Sequence, residues 1–146
     1  MIRHRQLKHK FVDDVPELLE PGFLYVSVRY ATAIHLCCCG CGREIVTPLS
    51  PAQWCLTFDG ENISLYPSIG NWALPCHSHY IVSNGHVIEA SSWSEKEVEY
   101  GLAQDKRARR AYYGAKAAAN TQETHATQNA SQGWFSKISR FLTRRS

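Results

Sequence analysis

Residues 35–42 read HLCCCGCG, four cysteines and a histidine within eight positions, between two runs, ATAIHLCC and REIVTPL, that resemble the arms of a hairpin. Disulfides inside so short a run are disfavoured, because adjacent and next-but-one cysteines rarely reach the Cα separation and orientation a disulfide needs. In a reducing compartment, clustered thiols are more often metal ligands or catalytic groups. A hairpin tip that binds a metal therefore sets the expectation for the fold, a small β domain stapled by an ion.

If the run is extended, alternation puts His35, Cys37, Cys39 and Cys41 on one face and Cys38 on the other. The glycines after Cys39 and Cys41 let the backbone turn around an ion. Zinc takes four nitrogen or sulfur ligands, which one hairpin would crowd, so a second cluster is expected elsewhere. The segment PCHSHY supplies it, with Cys76 and His79 at the C-x-x-H spacing of paired zinc ligands. Cys37, Cys39, Cys41, Cys76 and His79 are thus the candidate ligands, with His35 a further one. Spacing alone leaves open which four bind. Four protein ligands would close a structural site, whereas three plus water would leave the position hydrolysis needs. Cys38 reads as a spare thiol, and Cys55, in WCLTF, as a buried small hydrophobe.

Outward from the cluster, residues 22–90 read as short strands and turns, beginning with FLYVSVRY, rich in β-branched and aromatic residues. WCLTF and NISLY flank Asp59-Gly60-Glu61, and HYIVS and HVIEA flank Asn84-Gly85, both hairpin signals because Asp-Gly and Asn-Gly tolerate positive φ. Roughly seven strands are expected. The fold class is mainly β, a small antiparallel sandwich or open barrel with a zinc site, followed by a C-terminal helix and a flexible tail. Pro67 and Gly70 mark a turn, with Tyr66, Ile69 and Trp72 supplying bulk under the zinc loops or lining a groove for an extended peptide.

The chain has 146 residues, 44% of them hydrophobic, enough for one modest domain. A basic arm is expected over residues 1–15 and the zinc-binding β domain over 16–93. Ser94 and Glu97 form a capping box that opens a helix over 94–119. Residues 120–132 are polar and read as a flexible linker. Residues 133–146 read as a basic amphipathic helix suited to an anionic membrane surface, a partner groove or the chain's own domain. No apolar run approaches the roughly 20 residues of a membrane span, so a soluble, cytoplasmic protein is expected. The net charge of +3 resides at the two ends, which argues against a nucleic-acid partner.

HLCCCGCG, VTPLSP, PSIGNW and PCHSHY together resemble a bacterial family described as a domain of unknown function, over residues 22–90. That family's cluster usually runs H-L-C-P-C-G-C-G, so the resemblance makes Cys38, at the proline position, the least expected ligand. Its members look like small zinc-binding proteins. Some accompany ubiquitin-like proteins with activating and conjugating enzymes, and the resemblance implies a peptidase for the ubiquitin-like protein or its conjugates.

A zinc peptidase needs a metal-bound water, a general base and an oxyanion donor. The candidate bases are Glu44 and Glu89, with His77 as a proton shuttle. Ser68, Asn71 and Ser78 are candidate oxyanion donors, although such residues commonly satisfy turn amides. A thiol nucleophile activated by zinc or by His79 is a further reading that no residue singles out. Two functions follow: a zinc-dependent peptidase acting on a ubiquitin-like protein, or a non-enzymatic zinc-stapled β module that binds a protein partner. A nucleic-acid-binding zinc ribbon ranks third.

Overall fold

The computed structural model describes the backbone of residues 1–142 and the side chains of residues 1–121. Among the described residues eight strands form two four-stranded sheets. The first holds β1 (Lys8–Phe11), β2 (Phe23–Ser27), β3 (Thr32–Leu36) and β4 (Glu44–Pro48), in that order. The second holds β5 (Cys55–Phe58), β6 (Ile63–Gly70), β7 (His79–Ser83) and β8 (His86–Glu89). All pairings are antiparallel except β1 with β2. The architecture is two sheets around one core rather than a closed barrel.

Alternation builds that core. Leu24, Val26, Ala33 and Ile45 from the first sheet meet Ile63, Leu65, Ile69, Tyr80, Val82 and Val87 from the second in a single buried cluster. The hairpins β5–β6 and β7–β8 close where Asp-Gly and Asn-Gly stand, with Asn84 and Gly85 both at positive φ.

Residues 1–15 do not form a free arm. Ile2 and Leu7 are buried in the core, Arg3 and His4 donate their amides to the Cys38 carbonyl, and β1 pairs in register with β2. The basic side chains hide this strand from a hydrophobic pattern: the Lys10 ammonium sits 3.9 Å from the centre of the Phe23 ring, a polar head over an apolar stem. Cys55 is exposed rather than buried, since it lies on the outer side of β5 opposite Tyr66, itself 77% exposed.

Residues 67–70 are not a turn. They belong to β6, whose pairing with β7 shifts register between Leu65 and Ile69. Proline has no amide to give a ladder and is tolerated inside a sheet at such irregularities. From Leu65 to Ile69 β6 advances four residues while β7 advances two, from Val82 to Tyr80, and Ser68 lies in this irregular stretch, where bulges commonly re-aim side chains.

A helix, α1 (Glu95–Leu142), follows the sheets. The Glu97 carboxylate accepts from the Ser94 amide and hydroxyl at 2.7 Å, and the Ser94 hydroxyl in turn accepts from the Glu97 amide, a reciprocal cap. The helix runs as one element through residues 120–132, where a linker was expected; its backbone bonds are internal and need no core partner. Residues 1–106 form one compact unit and the chain from Arg107 another. The amphipathic pattern of residues 133–146, with its membrane or partner contact, involves side chains outside the described residues. Among the described residues no helix is long and apolar enough to cross a membrane.

Candidate functional site

Two clusters meet at the end of β7. The first contains Cys37, Cys39, Cys41 and Cys76, whose sulfur atoms all lie within 4.8 Å of one another. Cys37 follows β3, and its amide is bonded to the Arg43 carbonyl, which folds residues 37–43 into a tight loop with Gly40 and Gly42 at positive φ. Cys76 comes from residues 71–78, a loop closed by the Asn71 amide on the Ser78 carbonyl.

A tetrahedral ion bound at about 2.3 Å would space its sulfurs about 3.8 Å apart. The Cys37 sulfur lies 3.3 Å from that of Cys39 and 3.9 Å from that of Cys76, so the four thiols fit such an ion with small adjustments. The Ser78 hydroxyl is 3.1 Å from the Cys37 sulfur and accepts from the Asn71 side-chain amide at 2.8 Å, a second layer of polar groups behind the sulfurs. These four residues could hold a metal ion. Burial opposes ionisation of the Cys76 thiol, but bonds from Ser78, Cys39 and Cys41 outweigh it and bring its pKa down to about 7.

Cys38 lies outside the group, and burial pushes its pKa up to about 12. His35 is not in the group either; it is buried with its Nε2 on the Tyr80 hydroxyl at 2.8 Å, and burial holds its pKa down at about 4. Among the described residues its Nδ1 has no hydrogen-bond partner.

The second cluster contains His79. This residue is not among the four grouped ligands: both of its ring nitrogens are engaged elsewhere, Nε2 with the Ser68 hydroxyl at 2.8 Å and Nδ1 with the Ser91 carbonyl at 2.7 Å. A carbonyl only accepts, so Nδ1 carries the ring proton and Nε2 is the acceptor facing Ser68. The sheet sets this up: His79 pairs with Gly70, and Ser68 lies two residues from Gly70 on the irregular part of β6. A nucleophile, a base and an orienting group thus stand in line, the arrangement that activates a serine. His79 is buried and Ser68 is half-buried.

The other candidates stand apart from this line. Glu44 is exposed at the start of β4, opposite Leu36. Glu89 pairs with the Met1 ammonium at 2.8 Å, which lowers its pKa. His77 is exposed, in the left-handed region at φ 42°. Asn71 and Ser78 face the sulfurs rather than the Ser68 hydroxyl. The sequence placed Ser68 only as an oxyanion donor and His79 as a metal ligand or thiol activator. The available signal was Pro67 within a strand pattern, which calls for a bulge and hence a re-aimed neighbour.

A two-sheet β domain that sets a serine hydroxyl against a histidine, beside four thiols that could hold a metal ion, has the parts a serine hydrolase uses. The chain belongs to the BubE family, described as bacterial ubiquitination-like system serine protease, which it matches over residues 11–90. No curated protein and no solved structure matches the chain.

Proposed function

We propose that the chain is a serine peptidase acting on a ubiquitin-like protein, by C-terminal processing or deconjugation, with Ser68 as nucleophile and His79 as general base. The observation that carries this reading is the 2.8 Å bond between Ser68 Oγ and His79 Nε2, on a ring whose other nitrogen donates to Ser91. In the first step Ser68 Oγ bonds to the scissile carbonyl carbon as its proton passes to His79 Nε2, giving a tetrahedral oxyanion. Collapse breaks the C–N bond, and the imidazolium returns the proton to the leaving amine. Water, deprotonated by the same nitrogen, then releases the acyl group as a carboxylic acid and restores Ser68.

The metal in this reading is zinc, favoured by four soft thiolates. When bound, it supplies a cross-link between the loop after β3 and the loop before β7. Four sulfurs would complete the ion's ligand set and leave no position for water, which favours the closed structural site over the zinc-bound hydrolytic water, the two alternatives the sequence left open. Glu44, Glu89 and His77 then have no step to perform.

The test is cleavage of a ubiquitin-like protein fused to a short C-terminal extension. Wild type cleaves, Ser68→Ala and His79→Ala do not, and Glu44→Gln and Glu89→Gln do. Cleavage by Ser68→Ala at the wild-type rate would overturn the assignment.

A further inference from the structure

Among the described residues the Ser68–His79 pair has no acid partner: the orienting partner of Nδ1 is the Ser91 carbonyl, which carries no net charge to offset an imidazolium. Two indoles occupy the space around the ring. Trp72 stands 5.0 Å from His79, ring centre to ring centre, and Trp93 stands 5.2 Å from it. The indoles stack on each other at 5.5 Å with 20° between their planes.

Each indole occupies room that a missing side chain provides. Gly70 faces His79 across the ladder, and a Cβ there would overlap the pyrrole edge of Trp72. On α1, a Cβ at Gly101 would come within 2.7 Å of the Trp93 ring. Helix interiors disfavour glycine by about 1 kcal/mol relative to alanine, so Gly101 gives up helix stability where Trp93 packs. Ser91, Trp93 and Gly101 all follow the residues 11–90 that match the family.

We infer that Trp72 and Trp93 are positioning residues for His79, clamping its ring on the Ser68–Ser91 line in place of the carboxylate that orients the ring in a triad. The inference rests on the proposed Ser68–His79 chemistry. The planes meet at 58° with Trp72 and 73° with Trp93, tilted and edge-to-face contacts that hold the imidazole from two sides. The clamp also fixes orientation, where a displacement of about 1 Å can cost on the order of a hundredfold in rate.

The test uses the full chain and an alkyl fluorophosphonate, which phosphonylates Ser68 with loss of fluoride and needs no knowledge of the natural substrate. Its saturation kinetics separate binding (KI) from bond formation (kinact). Trp93→Phe keeps a flat ring against the imidazole and stays within about threefold of wild type, while Trp93→Leu loses about tenfold or more in kinact at unchanged KI. Gly101→Ala loses kinact to a similar extent although alanine favours the helix. A purely structural role predicts the opposite, with kinact unchanged in Gly101→Ala or with Phe and Leu equally impaired, and either result would overturn the inference.

Should Trp93→Leu fail to fold, Gly101→Ala and the wild-type NMR spectrum still decide. Ring protons of His79 are expected well displaced from their ordinary shifts by the ring currents of the flanking indoles, and ordinary shifts would count against the clamp. If wild type is not labelled at Ser68, the peptidase reading falls, while the NMR shifts still report on the clamp separately.

Discussion

The thiol cluster and the Ser68–His79 pair draw on one short stretch of chain but are built by different means. Cys37, Cys39 and Cys41 come together because they are neighbours in sequence on a tight loop, and Cys76 joins them from the next loop. Ser68 and His79 come together only because two strands pair with a register shift between them. Ser78 and His79, adjacent in sequence, serve one cluster each: the hydroxyl backs the sulfurs and the ring takes Ser68. Local spacing encodes the first site and tertiary register encodes the second.

That difference predicts separable damage. Ser68→Ala should lower turnover by on the order of 10⁴-fold or more while leaving metal content and melting temperature near wild type, as checked by cleavage assay, metal analysis and calorimetry. Equal loss of metal would mean that the two regions are one unit.

Cys76→Ser should act in the other direction. One ligand fewer lowers metal content and costs at least about 3 kcal/mol of stability, a melting-temperature fall on the order of 10 °C or more, with activity lost only as the fold is lost. Retained stability after this substitution, or after chelation, would remove the structural role of the ion.

Gly70→Ala sits at the boundary. Its Cβ would displace Trp72, with an overpacking cost of about 1–3 kcal/mol and a drop in acylation rate that exceeds any change in metal content. The smallest effects should come from Glu44→Gln and Glu89→Gln, which leave cleavage within about twofold of wild type, as exposed groups away from the chemistry usually do. A large loss in either would restore the acid–base role that the sequence suggested for them.

The sequence was most legible where its signals are local. Period-2 runs and Asn-Gly or Asp-Gly turns marked the strands from β2 to β8, and the cysteine spacing put the four residues that group in space among five candidate ligands, without excluding His79. It was least legible where partners lie far apart. KHKF forms β1 because Lys10 lies over Phe23 and because β2 is there to pair with, neither of which is a local pattern. His79 reads as a ligand at the C-x-x-H spacing, but β7 begins at this residue and aims the ring at Ser68, away from Cys76. Trp93 and Ser91 carry no motif, and their position depends on where α1 starts and on the room left at Gly101.

The most direct test of the account is to map the site of fluorophosphonate modification by mass spectrometry on the zinc-loaded full chain, alongside its metal content. The account predicts one adduct, on Ser68, absent in His79→Ala, with one zinc per chain and four sulfur ligands in both proteins. Labelling at another residue, or none while Ser68→Ala still cleaves a ubiquitin-like fusion, would contradict it.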